Sequence, residues 1–353
     1  MPERILKLLK DKNKNPGGQG LSGETCEVPG AELSRALGIS RAAVWKKINR
    51  LRADGYLVQA SRHGYRLKGS PDLSEFELAY NLPGVKIIFR QGLSSTNDVA
   101  LEAALRSMAG AGADGKKQKL PALVIADSQT TGRGRLGRNW LSPPGVNIYM
   151  SIVLWPEIPP RRAPLLALAA GLASALAIKG QTGLDVRLKW PNDLLAPGQK
   201  NKSGKSKKLG GILLEFRSDP DRVLLAVAGI GINVNWEKPD LPKGPLHKAD
   251  VTSILAETGE RVNRAALAAA VYKELDYWTG MLKKGPRAEA RLLKGYRTLC
   301  STIGRQIRVQ TEGKSFTGTA TAIDDDGRLV LKTAGGQLRF SSGEVQSVRG
   351  EAG

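Results

Sequence analysis

The sequence predicts an α+β protein in three parts, and three patterns along the chain support this prediction. Near the N-terminus, two short helical patterns flank a glycine and are followed by two alternating stretches. In the middle, apolar strand-like runs are interspersed with helical segments, and the last fifty residues contain five short alternating stretches. We place the domain boundaries so that the three parts cover 1–69, 70–299 and 300–353.

The first part contains a helix, a glycine turn and a second helix. The first helical pattern ends at Gly38, and Ser40 precedes a second helix over 41–53. The alternating stretches within 56–67 predict a hairpin, which completes the pattern of a winged helix-turn-helix. We predict DNA binding through this helix, although charges on an exposed face can also serve only to solvate it. The cations on its outer face are Arg41, Lys46, Lys47 and Arg50.

The segment 129–140, which we call the arginine loop, reads QTTGRGRLGRNW. Its three glycines and three arginines disfavour a helix or strand interior, and strand-like runs at 122–126 and 147–155 flank it. We predict an anion-binding loop in which glycines bring backbone amides close and arginines bind phosphate or carboxylate. The alternative is a nonspecific nucleic-acid patch, and the spacing excludes a Walker loop.

The remaining central segments predict a sheet with helices. Strands are expected at 85–89, 208–215 and 223–235, and the segment 186–193 is expected to be a strand that ends at a proline turn. A helix begins near Ser94–Asn97. The hydroxyl groups at this helix start either cap the helix or line a polar pocket, and spacing does not distinguish the two. Four glycines inside strands indicate close contact with a ligand or with a packed helix. They are Gly210, Gly211, Gly229 and Gly231.

Three polar segments interrupt this pattern. The segments 11–23 and 197–207 resemble flexible insertions, and the long loop 236–250 is a candidate lid.

Composition excludes several classes of chemistry. With only two cysteines and two histidines, the 353-residue chain has little material for a zinc site, a disulfide framework or a Ser-His-Asp triad. The net charge of +21 favours a phosphate-bearing or polyanionic partner. The apolar run 164–178 is shorter than the roughly 20 residues of a bilayer span, so we predict a buried helix, no membrane partner and a cytoplasmic protein.

Five motifs in this order resemble those of the biotin protein ligases. They are STN at Ser95–Asn97, the arginine loop, KWPND at Lys189–Asp193, KLGGIL from Lys208 and GIGIN from Gly229. Together with the winged helix-turn-helix, they resemble the ligases that also repress the biotin operon. The resemblance implies a central mixed sheet like that of class II synthetases and a C-terminal barrel similar to an SH3 domain.

The resemblance also implies a two-step reaction. Biotin and ATP, with Mg²⁺, would form biotinyl-5′-AMP, and a lysine of the biotin carboxyl carrier protein of acetyl-CoA carboxylase would then accept the biotin. As a repressor, the adenylate-bound chain would form a homodimer that binds operator DNA. Two alternatives remain: a transcription factor that senses a ligand without turnover, and a ligase for lipoate or octanoate.

Site residues follow from the matched motifs. Lys208 and Arg135 would be catalytic, Lys189 and Asp193 either position Lys208 or are structural, and Trp140 either walls the pocket or fills the core. The resemblance assigns biotin binding to Ser95, Thr96, Asn97, Gln129, Gly132, Arg133, Gly134, Arg135, Lys208, Gly211 and Ile212. It assigns ATP and adenylate binding to Arg133, Arg135, Lys208, Gly229 and Asn233.

Overall fold

The computed structural model divides into two compact units, Met1–Val85 and Lys86–Gly353. The residues that it describes are 2–14, 27–109, 122–197, 206–237, 251–311 and 313–347. The three polar segments singled out above, 11–23, 197–207 and 236–250, therefore lie mostly outside the described residues.

The N-terminal unit contains the predicted helix, turn and helix. Gly38 ends the first helix in the left-handed conformation with φ of 64°, which favours glycine. The Ser40 hydroxyl accepts a 3.2 Å hydrogen bond from the amide of Ala43 and caps the second helix. A hairpin of two antiparallel strands follows. The elements of this unit are α1 (Pro2–Lys14), α2 (Gly30–Leu37), α3 (Arg41–Ala53), β1 (Leu57–Ala60), β2 (Tyr65–Gly69) and α4 (Glu75–Asn81).

Helix α4 belongs to the N-terminal unit, whereas the predicted boundary at residue 69 lies before it. Phe76 of α4 joins the apolar core of this unit together with Ile5 and Leu9 of α1. Lys10 of α1 forms a salt bridge with the buried carboxylate of Glu77. These contacts place the division after Val85, because an apolar helix face is buried with the element against which it packs.

The second unit is built on a seven-stranded mixed sheet. Its strand order is β3-β4-β5-β9-β8-β7-β6. Strands β3 and β4 are parallel, and the other neighbours are antiparallel. The strands are β3 (Ile87–Leu93), β4 (Leu123–Gln129), β5 (Ile148–Leu154), β6 (Arg187–Lys189), β7 (Asp193–Ala196), β8 (Lys207–Ser218) and β9 (Val223–Ile232).

Among the described residues, five α-helices accompany this sheet. The predicted apolar helix, α6, is buried along most of its length and packs against α8 and α9. By length and composition alone it could span a membrane, but 72% of its most apolar window is buried inside the protein. The helices are α5 (Thr96–Ala109), α6 (Pro164–Thr182), α7 (Ile254–Thr258), α8 (Arg264–Leu282) and α9 (Pro286–Leu299).

The C-terminal strands form a five-stranded antiparallel sheet, as the alternating pattern predicts. Its order is β13-β12-β11-β10-β14, and it is joined to the central part by hydrogen bonds. The indole N–H of Trp190 donates to the carbonyl of Gly327 at 3.1 Å, and Arg297 Nε donates to the carbonyl of Ile323 at 2.8 Å. The strands are β10 (Gln306–Thr311), β11 (Lys314–Ile323), β12 (Leu329–Thr333), β13 (Gly336–Phe340) and β14 (Glu344–Ser347).

The segment 186–193 agrees with the prediction of a strand that ends at a proline turn: the short strand β6 ends at Lys189, and a turn containing Pro191 leads into the separate strand β7. Helix α7 was not predicted, since its five residues are too few to show a helical period. Its caps, Ser253 and Gly259, are the local signals that mark it.

Candidate active site

A cavity of about 710 Å³ lies between the arginine loop and the central sheet. Every residue predicted to bind biotin or adenylate lines this cavity except Gly132. Lys189 and Asp193 of the KWPND motif and Trp140 also line it. The motifs that are far apart in sequence therefore meet at one site.

The arginine loop folds back on itself. The amide of Gly134 donates to the carbonyl of Arg138 at 2.7 Å, and the amide of Trp140 donates to the carbonyl of Gly132 at 2.8 Å. Gly132 does not line the cavity, and a Cβ there would be 2.5 Å from the carbonyl oxygen of Trp140. Its structural role is thus to let the two arms of the loop approach each other.

Trp140 accounts for the glycine at 231 and lies in van der Waals contact with Gly211. A Cβ on Gly231 would lie 2.6 Å from the indole ring, and one on Gly211 would lie 3.4 Å from it. The ring is therefore packed on β8 and β9 and forms one wall of the cavity. Gly229 instead faces Asn97 at the start of α5, where a Cβ would be 2.3 Å from the side-chain oxygen. These glycines accommodate side chains of the loop and of the helix.

We expect Gly231→Ala to destabilise the protein by about 1–3 kcal/mol, because the new methyl group overlaps the Trp140 ring. Urea denaturation measures the change in the free energy of unfolding. Gly180→Ala is the control, since a Cβ at Gly180 in α6 meets nothing within 4 Å and alanine favours a helix by roughly 0.5–1 kcal/mol. Equal stability of the two variants would contradict this packing.

Lys208 lies on β8 with its ammonium group inside the cavity. Its Nζ donates to Asp193 Oδ1 at 2.6 Å and lies 5.6 Å from the centre of the Trp140 ring. The Lys208 side chain is 33% exposed to solvent, so it is accessible to a ligand. Asp193 holds the ammonium in place, which supports a positioning function for the KWPND motif.

Arg135 connects the loop to two other parts of the chain. Its Nη1 donates to Asn192 Oδ1 at 3.0 Å and to the carbonyl of Gly343 at 3.2 Å. Burial lowers the pKa of the Arg135 guanidinium from its usual value, and nearby Asp193 opposes that shift. The guanidinium stays cationic at neutral pH because arginine pKa values are so high.

The C-terminal sheet also holds the loop through Arg138. Its guanidinium forms a salt bridge with Glu344 at the start of β14. The hydrogen bond with Arg138 lowers the pKa of Glu344 and raises that of Arg138. Gly343, Glu344 and Val345 line the cavity, so the C-terminal sheet forms part of the site.

A polar cluster of Ser95, Thr96, Asn97 and Gln129 forms the other side of the cavity. The Thr96 amide donates to Gln129 Oε1 at 2.8 Å, and the Ser151 hydroxyl lies 2.6 Å from Asn97 Oδ1. Ser95 and Asn97 are both nearly inaccessible to solvent. The Ser95 hydroxyl also caps α5, accepting from the amide of Asp98 at 3.4 Å. Ser95 therefore both caps the helix and lines the cavity, so the two alternatives for this helix start are compatible.

Arg133 is the arginine whose surroundings differ most from the expectation. It donates through Nη1 to Asp98 Oδ2 at 2.8 Å, and its Nη2 also contacts that carboxylate. The hydrogen bond to Asp98 raises the pKa of Arg133. The prediction that it closes over the adenylate remains a prediction.

Sequence reasoning missed several residues of the site. Asp98 and Glu215 flank Arg133, and Gly343 comes from a distant part of the chain. Only Ser151 carried a local signal, because it is a hydroxyl group inside the otherwise apolar strand β5. The others depend on tertiary contacts that no spacing rule reveals.

The predicted DNA-binding residues lie on helix α3. Arg41, Lys46 and Arg50 are exposed, and Lys47 is half-buried. Arg50 Nε donates to Asp54 Oδ2 at 3.0 Å, which partly balances its charge. The opposite face of α3 is buried in the core of the N-terminal unit.

Three family models match this chain. The biotin/lipoate A/B protein ligase family matches residues 112–235, the biotin protein ligase C-terminal domain matches residues 302–347, and an HTH domain matches residues 21–66. These matches coincide with the central sheet, the C-terminal sheet and the N-terminal unit.

Individual relatives agree with these models. The bifunctional ligase/repressor BirA of Bacillus subtilis (strain 168) is 36% identical over 330 residues, covering 90% of this chain and 93% of that protein. The biotin–[acetyl-CoA-carboxylase] ligase of Mycobacterium tuberculosis is 31% identical over 286 residues, covering 79% and 97%.

A solved structure, the biotin protein ligase from Aquifex aeolicus in complex with biotin and ATP, superposes with a TM-score of 0.57. It is 25% identical in sequence and covers 75% of this chain and 99% of its own. Sequence, domain order and fold all lead to the same conclusion. This chain belongs to the biotin protein ligase family and, within it, to the bifunctional ligase/repressors.

Proposed function

We propose that this protein is an ATP-dependent ligase that forms biotinyl-5′-AMP and transfers biotin to a lysine of the biotin carboxyl carrier protein of acetyl-CoA carboxylase. The observation that carries this proposal is the cavity itself. It places the Lys208 ammonium, held by Asp193, in the same space as the arginine loop and the polar cluster. That arrangement suits a substrate with a polar ring at one end and an anionic group at the other.

In the first step, a carboxylate oxygen of biotin attacks the α-phosphorus of ATP. The bond from the α-phosphorus to the bridging oxygen breaks, and pyrophosphate leaves with the electron pair. Both reactants are anions, so their approach requires positive charge that is already oriented. Lys208 and Arg135 supply it, and no covalent nucleophile on the enzyme is needed.

In the second step, the neutral amine of the carrier lysine attacks the acyl carbon of the adenylate. The amine loses a proton to bulk water, an amide bond forms, and AMP leaves with the electrons of the broken acyl–oxygen bond. The arginine loop limits the access of water to the anhydride until the acceptor arrives. Its ties to Asn192 and Gly343 keep it beside the cavity.

The other predicted ligand residues would contact three different parts of the bound adenylate. The polar cluster would bind the ureido ring of biotin through amide and hydroxyl groups. Gly134, Gly211 and Ile212 would contact the middle of the adenylate, while Gly229 and Asn233 would lie on the nucleotide side. All of these residues line the cavity.

Mg²⁺ is proposed only as the counter-ion of the ATP triphosphate. Within the described ranges, no group of three or more His, Cys, Asp or Glu side chains could hold a metal ion.

We extend the proposal to repression. The β1–β2 hairpin would act as the wing beside α3, and the cations Arg41, Lys46, Lys47 and Arg50 would contact operator DNA. The adenylate-bound chain would act as a homodimer in the cytoplasm. We also assign a class II synthetase-like character to the central sheet and an SH3-like barrel to the C-terminal strands.

Biotin transfer tests the enzymatic proposal directly. The protein is mixed with biotin, MgATP and a biotin carboxyl carrier domain, and mass spectrometry follows the mass of the carrier. We expect a single added biotin that depends on ATP. Lipoate and octanoate are added in competition, because a site built to hydrogen-bond a ureido group should reject acids that lack it. Binding of biotin without turnover would favour a ligand-sensing transcription factor, and preferred transfer of lipoate would favour the other alternative.

A gel shift tests repression. The upstream DNA of biotin-synthesis genes is incubated with the protein, with and without biotin and ATP. Retardation that requires both ligands supports a regulated repressor, whereas equal retardation of unrelated DNA contradicts it.

A further inference from the structure

The side chain of Arg133 lies between two carboxylates that belong to different elements. Asp98, at the start of α5, accepts a 2.8 Å hydrogen bond from Arg133 Nη1 through Oδ2. Glu215 lies on β8, and its Oε1 is 3.7 Å from Arg133 Nη2. Because Asp98 accepts hydrogen bonds from the guanidinium and Glu215 adds a second negative charge nearby, the charge of Arg133 is largely balanced within the protein. The three groups keep 35–44% of their exposure and so lie at the edge of the site.

Glu215 links this ion pair to the polar cluster. Its Oε2 accepts a 2.6 Å hydrogen bond from Asn97 Nδ2, and the buried Ser151 hydroxyl lies 2.6 Å from Asn97 Oδ1. One carboxylate therefore contacts both the loop arginine and an amide whose other end is fixed by β5. The position of the loop and the orientation of Asn97 are coupled through this one side chain.

Arg135 has a different environment. Its hydrogen bonds go to the neutral oxygens of Asn192 and Gly343, so its charge remains available to an anion in the cavity. Of these two arginines, which are separated by one glycine, only Arg133 has both terminal guanidinium nitrogens directed toward carboxylates. Their roles should therefore differ.

We propose that Asp98 and Glu215 are positioning residues that hold the arginine loop through Arg133, and that Arg133 acts by this tie instead of by contacting the substrate phosphate. The inference rests on the proposed ligase function. It assigns the binding of negative charge to Arg135 and Lys208. It also makes the acidic pair responsible for how well the loop covers the adenylate.

The test compares Asp98→Asn, Arg133→Gln and the double variant. The rates of pyrophosphate release and of adenylate loss are measured for each, together with the KM for biotin. We expect each single variant to raise the KM and the rate of adenylate loss by about three- to tenfold, while kcat for pyrophosphate release stays within about twofold of wild type. The double variant should be no worse than Arg133→Gln alone, because once the guanidinium is gone Asp98 has no contact with the loop left to lose.

Glu102→Gln is the matched control. Glu102 is a carboxylate on the same helix α5 that pairs with Arg106 at the surface, so its loss changes the charge without touching the site. We expect wild-type kinetics from it. Glu215→Gln separates the two contacts of Glu215, because an amide oxygen still accepts from Asn97 but no longer balances Arg133. Glu215→Gln should lose the adenylate faster than wild type, as we expect for Asp98→Asn and Arg133→Gln.

Two outcomes would overturn the inference. If Arg133 binds substrate directly, Arg133→Gln would lower kcat strongly, whereas Asp98→Asn would leave binding unchanged or improve it by freeing the guanidinium. If the ion pair serves stability alone, Tm would fall while the KM and adenylate loss stay as in wild type. Transfer of biotin by the wild-type protein is measured first, so that failure of the ligase proposal is recognised separately.

Discussion

Lys208→Ala should lower the rate of adenylate formation by about a hundredfold to a thousandfold, the scale expected when an oriented charge is removed from a reacting centre. Lys208 is the lysine whose ammonium lies in the cavity beside Asp193 and Trp140. Without it, the carboxylate of biotin and the α-phosphate approach each other with their repulsion only partly compensated. Pyrophosphate release in a single turnover measures the effect.

Controls distinguish chemistry from folding in the Lys208 experiment. Lys179→Ala removes an exposed lysine of α6 that pairs with Asp185 and does not line the cavity, and it should retain most of the activity. Asp193→Asn should cost less than the loss of the ammonium itself, since the lysine remains but is less well held. Pyrophosphate release by Lys208→Ala at the wild-type rate would refute the catalytic assignment.

Arg135→Gly should release the adenylate from the site about tenfold faster or more, because the loop loses the two hydrogen bonds of the Arg135 side chain and its half-buried cation. The missing hydrogen bonds are those to Asn192 and to the carbonyl of Gly343. A glycine at this position also increases the freedom of the loop backbone. Escaped adenylate acylates lysines of any nearby protein, so biotin on an added bystander protein reports it.

Arg135→Lys and Arg161→Gly complete the Arg135 experiment. Lysine keeps the charge but lacks the fork that reaches two acceptors, so partial leakage is expected. Arg161 is an exposed arginine 3.9 Å from Asp326, and its loss should leave retention unchanged. Equal retention of the adenylate by Arg135→Gly and wild type would show that the loop is held by other contacts.

Local sequence signals predicted the helix ends and loops, whose conformation depends on residues that are adjacent in the chain. Gly38 and Ser40 marked the turn between α2 and α3, because a left-handed backbone and a capping hydroxyl are needed at a helix end and a helix start. The glycines and arginines of 129–140 marked a loop between strands for the same local reason. The family motifs then predicted which segments would meet at the cavity.

Other features were beyond the reach of sequence patterns. The strand glycines left open whether a ligand or a helix packs on the sheet, and the structure shows that Trp140 and Asn97 occupy that space. The boundary after Val85 follows from the packing of α4 on α1, which apolar spacing within α4 does not reveal. The contribution of Gly343 and Glu344 to the site depends on the docking of a separate sheet.

The sequence by itself thus determined the order of the domains, the arginine loop and the residues that carry charge into the cavity. Only the tertiary structure decided how that charge is shared: Arg133 lies between Asp98 and Glu215, while Arg135 donates to neutral oxygens and Lys208 pairs with Asp193. The physical reason is that residue type fixes the charge of a side chain, whereas its availability to a ligand depends on the partners that folding places around it.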